Sequence, residues 1–346
     1  MQVISGSYTG NGTSQSITAP GFQPTAVIVK RTGASEGVIS TASMGANKTR
    51  ILKSAAVLFA DGVTSLDANG FSVGAAATVN TNTNVYHYIA FRVAGANDYA
   101  QGTYTGNGVD DRSITGVGFQ PSLVLIAGDS ATAGTNPVWK SSDMAGDAAT
   151  TNSGSTLGTN IIKALQADGF QVGTAQSSNV DTVVYYFVAF RNAVNVCKVL
   201  TYTGTGADGE SITGVGFQPE FMLTKRIAAT VADAALRFKD QVGDASFDID
   251  STTITNLIQA FETDGFDLGT DARGNESGTT YYAFFFKDGT STAGGGGGGG
   301  QGGGKGKGGG GGPGGGGGGA GSPGPGGGTR WVSTVPPRSR RRFGVL

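Results

Sequence analysis

Proton transfer near neutral pH draws first on histidine, and this chain of 346 residues has one, His87. It also has one cysteine, Cys197. One residue of each kind excludes the usual His/Cys zinc sites. A Ser-His-Asp or Cys-His arrangement would have to be built on His87, and no nucleophile-elbow sequence is present. The positions matched to His87 in the internal repeat are Tyr186 and Tyr282, so the imidazole is expected to pack within a strand. Carboxylate pairs can hydrolyse glycosidic bonds, and the densest acidic stretch is Asp240, Asp244, Asp248 and Asp250. The matched stretch from Ser43 to Lys53 has no acid. The cluster therefore reads as a solvated loop or a loose calcium loop. Gly10-Asn11-Gly12 and its copies look like fragments of phosphate loops, but no helix signal follows them. No catalytic residue, cofactor or metal is assigned, and the chain is expected not to be an enzyme.

The elements that would position any site are repeated. Tyr8-Thr9-Gly10-Asn11-Gly12 returns as Tyr104-Thr105-Gly106-Asn107-Gly108 and as Tyr202-Thr203-Gly204-Thr205-Gly206. Gly21-Phe22-Gln23-Pro24 returns from Gly118 and from Gly216. Asn69-Gly70-Phe71 returns as Asp168-Gly169-Phe170 and Asp264-Gly265-Phe266. Each copy closes on an aromatic run ending at Phe91-Arg92, Phe190-Arg191 or Phe286-Lys287. Matched positions lie 96 to 99 residues apart. That period is too long for a solenoid rung and suits a whole small domain.

Period-two patterning marks strands. In the closing run His87, Ile89 and Phe91 point one way, and Tyr86, Tyr88, Ala90 and Arg92 the other. Both faces are largely apolar, as in a central strand. Ala26–Val29 and Leu123–Ile126 read as short buried strands entered from a proline turn, and Asn69-Gly70 and Asp168-Gly169 as tight turns. Ile161, Ile162 and Leu165 have helix-like spacing; a single turn or short strand is expected there. The fold class predicted is all-β: three tandem β-sandwiches, residues 1–97, 98–197 and 198–290, arranged as a rod or stack.

Residues 291–328 are almost all glycine and read as a flexible linker. Residues 329–346 carry Trp331 and the cluster Arg338, Arg340, Arg341 and Arg342, and read as a docking peptide. From Gly294 on there are seven basic residues and no acid, which leaves the first 293 residues with 17 basic and 25 acidic residues, a net of −8. An acidic body with a basic tail suits contact with a neighbouring acidic subunit. The arginine run is short and has no folded partner, which speaks against a nucleic-acid segment. No stretch approaches a membrane span, and no signal peptide is visible.

The recurring Tyr-Thr-Gly-Asn-Gly, Ser-Ile-Thr, Gly-Phe-Gln-Pro and Asp-Gly-Phe blocks resemble a repeat domain of tailed-bacteriophage virion proteins of the minor-tail and tail-fibre type. That resemblance, over residues 7 to 288, implies a laminin-G or concanavalin-like, jelly-roll-like sandwich. It implies no catalytic residues. It further implies a virion protein made in the host cytoplasm, serving in host attachment, with other virion proteins, a host-surface glycan or receptor, and copies of itself in a trimer as partners. A capsid-decoration or head-fibre protein, a carbohydrate-binding module and a glycan depolymerase are the alternatives. Surface contacts are expected at Asn11, Asn107 and Thr205, and in the loops Thr81 to Asn84 and Ser177 to Asp181.

Overall fold

Strand β1 (Gln2–Thr9) opens the first copy and is followed by β2 (Gln15–Ile17), β3 (Ala26–Arg31), β4 (Val38–Thr41), β5 (Arg50–Ile51), β6 (Val63–Asp67), β7 (Gly70–Val73) and β8 (Val85–Arg92). The computed structural model describes residues 1–290 apart from 96, 155–156, 228–231 and 252. The strands form two antiparallel sheets, β1-β8-β3-β4-β5 and β2-β7-β6. The second copy repeats both orders, from Tyr99–Thr105 to Val184–Phe190. The third repeats them from Cys197–Thr203 to Thr280–Phe286, with one added edge strand, Thr253–Ile254. Pairing of β1 with β8 and of β2 with β7 nests the ends of each copy as in a jelly roll. Strands β4 and β5, however, extend the first sheet and do not cross to the second. Ile162–Gln166, where helix-like spacing competed with strand, is a strand, as is Ile258–Glu262. Among the described residues, three short α-helices lie elsewhere, at Ala77–Asn80, Gln176–Asn179 and Ala272–Asn275, and a 3-10 turn at Ala42–Met44.

The repeated sequence blocks have local physical roles. Asp168 accepts hydrogen bonds from the N–H groups of Gly116 and Gly118 at 3.0 and 2.6 Å, and Asp264 does the same for Gly214 and Gly216. Those donors favour the ionised form and hold the Asp168 carboxyl below its ordinary range. The glycine that follows has no substitute. A Cβ at Gly70, Gly169 or Gly265 would sit about 2 Å from the carbonyl oxygen of Ile17, Ile114 or Ile212.

β8 lies between β1 and β3, so both of its edges are paired, and side chains on both of its faces are buried. Tyr86, Tyr88 and Ala90 fill the first copy's own core with Phe71 and Val73. The second and third copies have matching private cores around Phe170 and Phe266. Ile89 and Phe91 point the other way, into a fourth core shared by all three copies. There Ile28, Leu125 and Leu223 meet, and Phe91, Phe190 and Phe286 form a triangle with ring centroids 4.8 to 5.1 Å apart. The expectation of a rod or stack is therefore wrong. The three sandwiches stand side by side around a common axis, because each five-stranded sheet has two apolar faces and a linear stack would leave one of them wet. Residues 1–290 form one compact unit.

At the opposite end of the same strands, the copies are joined by a ring of hydrogen bonds. Gly37 N–H donates to Ile249 O at 2.7 Å, and Ala234 N–H to Asn152 O at 2.8 Å. The third matched donor would be residue 137, which is proline and has no N–H. Its role is taken by the Asn152 side chain, whose Nδ2 donates to Leu52 O at 2.8 Å. The circle closes where Gly289–Thr290 pairs with Val3 and Gln2 of β1, and where the Asp288 carboxylate accepts Ser5 N–H and Oγ–H at 2.6 and 2.9 Å. The Met1 ammonium is buried against Asp98. The segments 291–328 and 329–346 lie outside the described residues.

Candidate functional site

The Gly-Phe-Gln-Pro block builds a cleft in each copy. Its phenylalanine (Phe22, Phe119, Phe217) is buried in the private core. Its glutamine reaches across to the second sheet, with Nε2 donating to Leu66 O, Leu165 O or Phe261 O at 2.9, 3.0 and 3.1 Å. The cleft lies between this turn, the loop that follows β4, and β6, or their counterparts. Its volume is about 440 Å³ in the first copy, 650 Å³ in the second and 310 Å³ in the third. These sizes suit small ligands.

The three clefts occupy one position in the fold but differ in charge. In the first copy the lining is uncharged, and Ser40 takes the position that Lys140 and Arg237 hold in the others, with its Oγ donating to Lys48 O at 2.8 Å. In the third copy Arg237 is buried and donates to the carbonyls of Gly243 and Ile258 at 2.7 and 2.8 Å. That cleft holds its own anion, Glu220, and Lys239 joins Glu220 at 3.4 Å and also pairs with Asp288. In the second copy Lys140, Lys163 and Arg191 line the cleft, and no carboxylate does so. Lys140 is buried and spends its three N–H donors on the carbonyls of Met144, Gly146 and Ala148 at 3.2, 2.8 and 2.6 Å. Burial lowers its ammonium from the ordinary range, opposed by Asp147. Lys163 is paired with Asp110 and Asp111 at 3.1 and 2.6 Å, just outside the cleft. The Arg191 guanidinium lies over the Phe119 ring, 5.8 Å from its centre, and makes no ion pair among the described residues.

Asn11, Asn107 and Thr205 are exposed at the tips of loops at one end of each sandwich. The loops are held from below by residues that sequence reasoning passed over: Asn80, Asn179 and Asn275, all fully buried. Each Oδ1 accepts the backbone N–H of the tip residue, at 2.8, 3.0 and 2.8 Å. Each Nδ2 donates to Gly74 O, Gly173 O or Gly269 O, at 2.7, 2.9 and 2.8 Å. The signal was present, since these asparagines recur six residues after the matched glycines. The neighbouring segments, Thr81 to Asn84 and Ser177 to Asp181, lie against the same tips, with Gly10 N–H donating to Asn84 O and Gly108 N–H to Asn179 O; the expectation of surface contacts from Ser177 to Asp181 fails for Ser177, Ser178 and Asn179, which are buried in the short helix Gln176–Asn179. Trp331, Arg338, Arg340, Arg341 and Arg342 lie outside the described residues.

The acidic stretch of the third copy separates into three. Asp244 accepts Asn256 N–H at 3.1 Å. Asp240 binds His87 Nδ1 at 2.7 Å, across the boundary with the first copy, and the imidazole stacks on Phe238 and packs on Phe247. Burial pushes the Asp240 carboxyl up, but hydrogen bonds from His87 and Ser7 outweigh it and hold the group below its ordinary range. Asp248 and Asp250 join Asp233, with one oxygen from each within 4.8 Å of the others. Lys53 of the first copy pairs with Asp233 at 2.7 Å and also with Asp250. Burial and the two neighbouring carboxylates push Asp248 up to about 6, against Arg273 and Lys53. Asp240 through His87, and Asp233 and Asp250 through Lys53, bind the third copy to the first, whereas Asp244 bonds within its own copy.

The family model described as Domain of unknown function (DUF7483) matches residues 3–100 and 192–299, more than half of the chain, which therefore belongs to that family. The two matches fall on the first and third copies. No curated protein and no solved structure matches the chain.

Proposed function

We propose that this member of the DUF7483 family is a structural protein of a tailed-bacteriophage particle, placed at the tail or tail fibre, where it takes part in attachment to the host surface. The observation that carries the reading is the presence of three like clefts and three like loop tips around one axis in the compact unit of residues 1–290. Attachment surfaces rely on many weak contacts made together. Linked sites of modest affinity gain about 10²- to 10⁴-fold in avidity when they engage at once. The threefold-like body also suits a symmetric particle. The resemblance of the repeated blocks to minor-tail and tail-fibre repeats points to the same place. Among the described residues no helix is long and apolar enough to cross a membrane.

The test uses the full chain. Antibodies against it, gold-labelled and applied to intact particles, should mark the tail, and soluble full-length protein should slow adsorption of particles to host cells. Label on the capsid would favour a decoration or head-fibre protein. Release of new reducing ends from host polysaccharide would favour a depolymerase. Absence from purified particles would end the reading.

A further inference from the structure

Three side chains stand in a hydrogen-bonded line across the boundary between the first and third copies. The Asp240 carboxylate binds His87 Nδ1 at 2.7 Å, and His87 Nε2 lies 3.2 Å from Thr32 Oγ1. Ser7 also bonds to Asp240. A carboxylate only accepts, so Nδ1 of the neutral imidazole carries the proton and Nε2 presents its lone pair to the threonine hydroxyl. The ring stacks on Phe238 with centroids 5.4 Å apart, which holds its plane. The other two boundaries lack the imidazole. Tyr186 and Tyr282 take its position, and burial pushes both phenols above their ordinary range, so neither serves as a base near neutral pH.

Thr32, His87 and Asp240 all line one cavity of about 310 Å³. Val85 and Val242 stand exposed beside it, and the buried Phe247 gives it an apolar wall. Among the described residues no lysine, arginine or second carboxylate lines it, so an anionic ligand would meet Asp240 unopposed. A hydroxyl bonded to a base that a carboxylate in turn orients is the arrangement that activates an oxygen nucleophile for acyl transfer. We infer that the boundary cavity hydrolyses esters of short uncharged acyl groups, with Thr32 as nucleophile, His87 as base and Asp240 as the group that orients the imidazole. Thr32 Oγ bonds to the ester carbonyl carbon while His87 Nε2 takes its proton. The carbon–oxygen bond to the leaving alcohol then breaks, and that alcohol takes the proton from His87. Water attacks the acyl-threonine, giving a proton to His87, and the acid leaves as Thr32 regains its hydrogen. This activity is independent of the attachment role, and cleavage of an ester releases no reducing end.

The experiment follows release of p-nitrophenolate from p-nitrophenyl butyrate by the full chain. Wild type should turn the ester over. T32V should lose about 100-fold or more, the scale set by removing an acid–base partner or its nucleophile, and T32S, which keeps a hydroxyl, should retain turnover. Thr32 is exposed and its hydroxyl bonds to His87, and an unchanged melting midpoint of T32V would show that the fold is intact. An alkyl fluorophosphonate provides a second measurement on wild type alone. A base-activated hydroxyl attacks its phosphorus with loss of fluoride, and mass spectrometry should find one adduct per chain, on Thr32. No turnover above buffer by wild type, undiminished turnover by T32V, or an absence of adduct on Thr32 would each overturn the inference.

Discussion

Replacement of Phe190 by alanine tests the shared core directly. Phe190 is 3% exposed, and its ring lies 5.1 Å from Phe91, 5.1 Å from Tyr99 and 4.8 Å from Phe286. Phe91 and Phe286 belong to the other two copies. Removing a buried phenylalanine costs about 3–5 kcal/mol, including the cavity left behind. If residues 1–290 unfold together, the unfolding entropy is about 0.6 kcal/mol/K and the enthalpy about 200 kcal/mol near 60 °C. The midpoint should then fall by roughly 5–8 °C as one transition, with calorimetric and van't Hoff enthalpies equal. Differential scanning calorimetry of wild type and F190A reads both quantities. Three transitions, each carrying about a third of the enthalpy, with only one displaced by F190A, would show that the copies are independent domains and that the common core contributes little.

Other substitutions probe the individual devices. N179A removes the acceptor for Asn107 N–H and the donor to Val109 O and Gly173 O; it should cost about 2–3 kcal/mol in urea denaturation and speed amide exchange in the loop after Gly106, whereas unchanged exchange there would mean that the tip holds itself. D248N should stabilise the protein at pH 7 by about 1 kcal/mol, after allowance for solvent screening. The Asp248 carboxyl, raised to about 6 in the folded chain, binds a proton between about pH 4 and 6 that the unfolded chain does not. Wild type should therefore gain stability over D248N as pH falls through that window, and parallel pH profiles would refute the account. N152A leaves Leu52 O without its donor and should cost about 1–3 kcal/mol. P137A restores a backbone N–H at the ring position, so P137A should be better tolerated with N152A than alone; additive losses in the double-mutant cycle would refute the ring.

The repeat, the strands and the turns were legible because each is a local pattern. Asp168-Gly169 announces a tight turn whatever surrounds it, and alternation in Val85–Arg92 announces a strand covered on both faces. What covers the second face was not legible. Phe91, Phe190 and Phe286 look the same in sequence whether they meet another sheet of the same copy or one another, since patterning reports burial and not the partner. The clefts were hidden for a related reason. Gln23, Gln120 and Gln218 bond to backbone carbonyls of residues 43 to 45 positions away, and a carbonyl acceptor leaves no trace in residue type. The acidic stretch misled because proximity in sequence is not proximity in space. The chain turns between the strands Ala235–Phe238 and Ser246–Asp248, so Asp240 and Asp244 sit in the turn and Asp248 in the returning strand, each beside a different neighbour, and Asp233 joins the last from across the hairpin.

Joining three copies in one chain frees each from strict symmetry, and the departures fall where copies meet or where solvent enters a cleft. In an exact homotrimer a proline at residue 137's position would remove the inter-copy hydrogen bond three times. Here it occurs once, and one asparagine side chain replaces the missing donor. An imidazole bound to a carboxylate stands at one boundary, and its counterparts, Tyr186 and Tyr282, at the other two. The buried residue behind the cleft is serine, lysine or arginine in turn, while the triangle of phenylalanines on the axis is invariant within the chain. The pattern follows from packing: a centre shared by three sheets tolerates no change in volume that its partners do not match, whereas a cleft wall can change charge one copy at a time. A single chain with a uniform axis can therefore carry three unlike clefts at fixed separation, which identical subunits obeying exact symmetry cannot do.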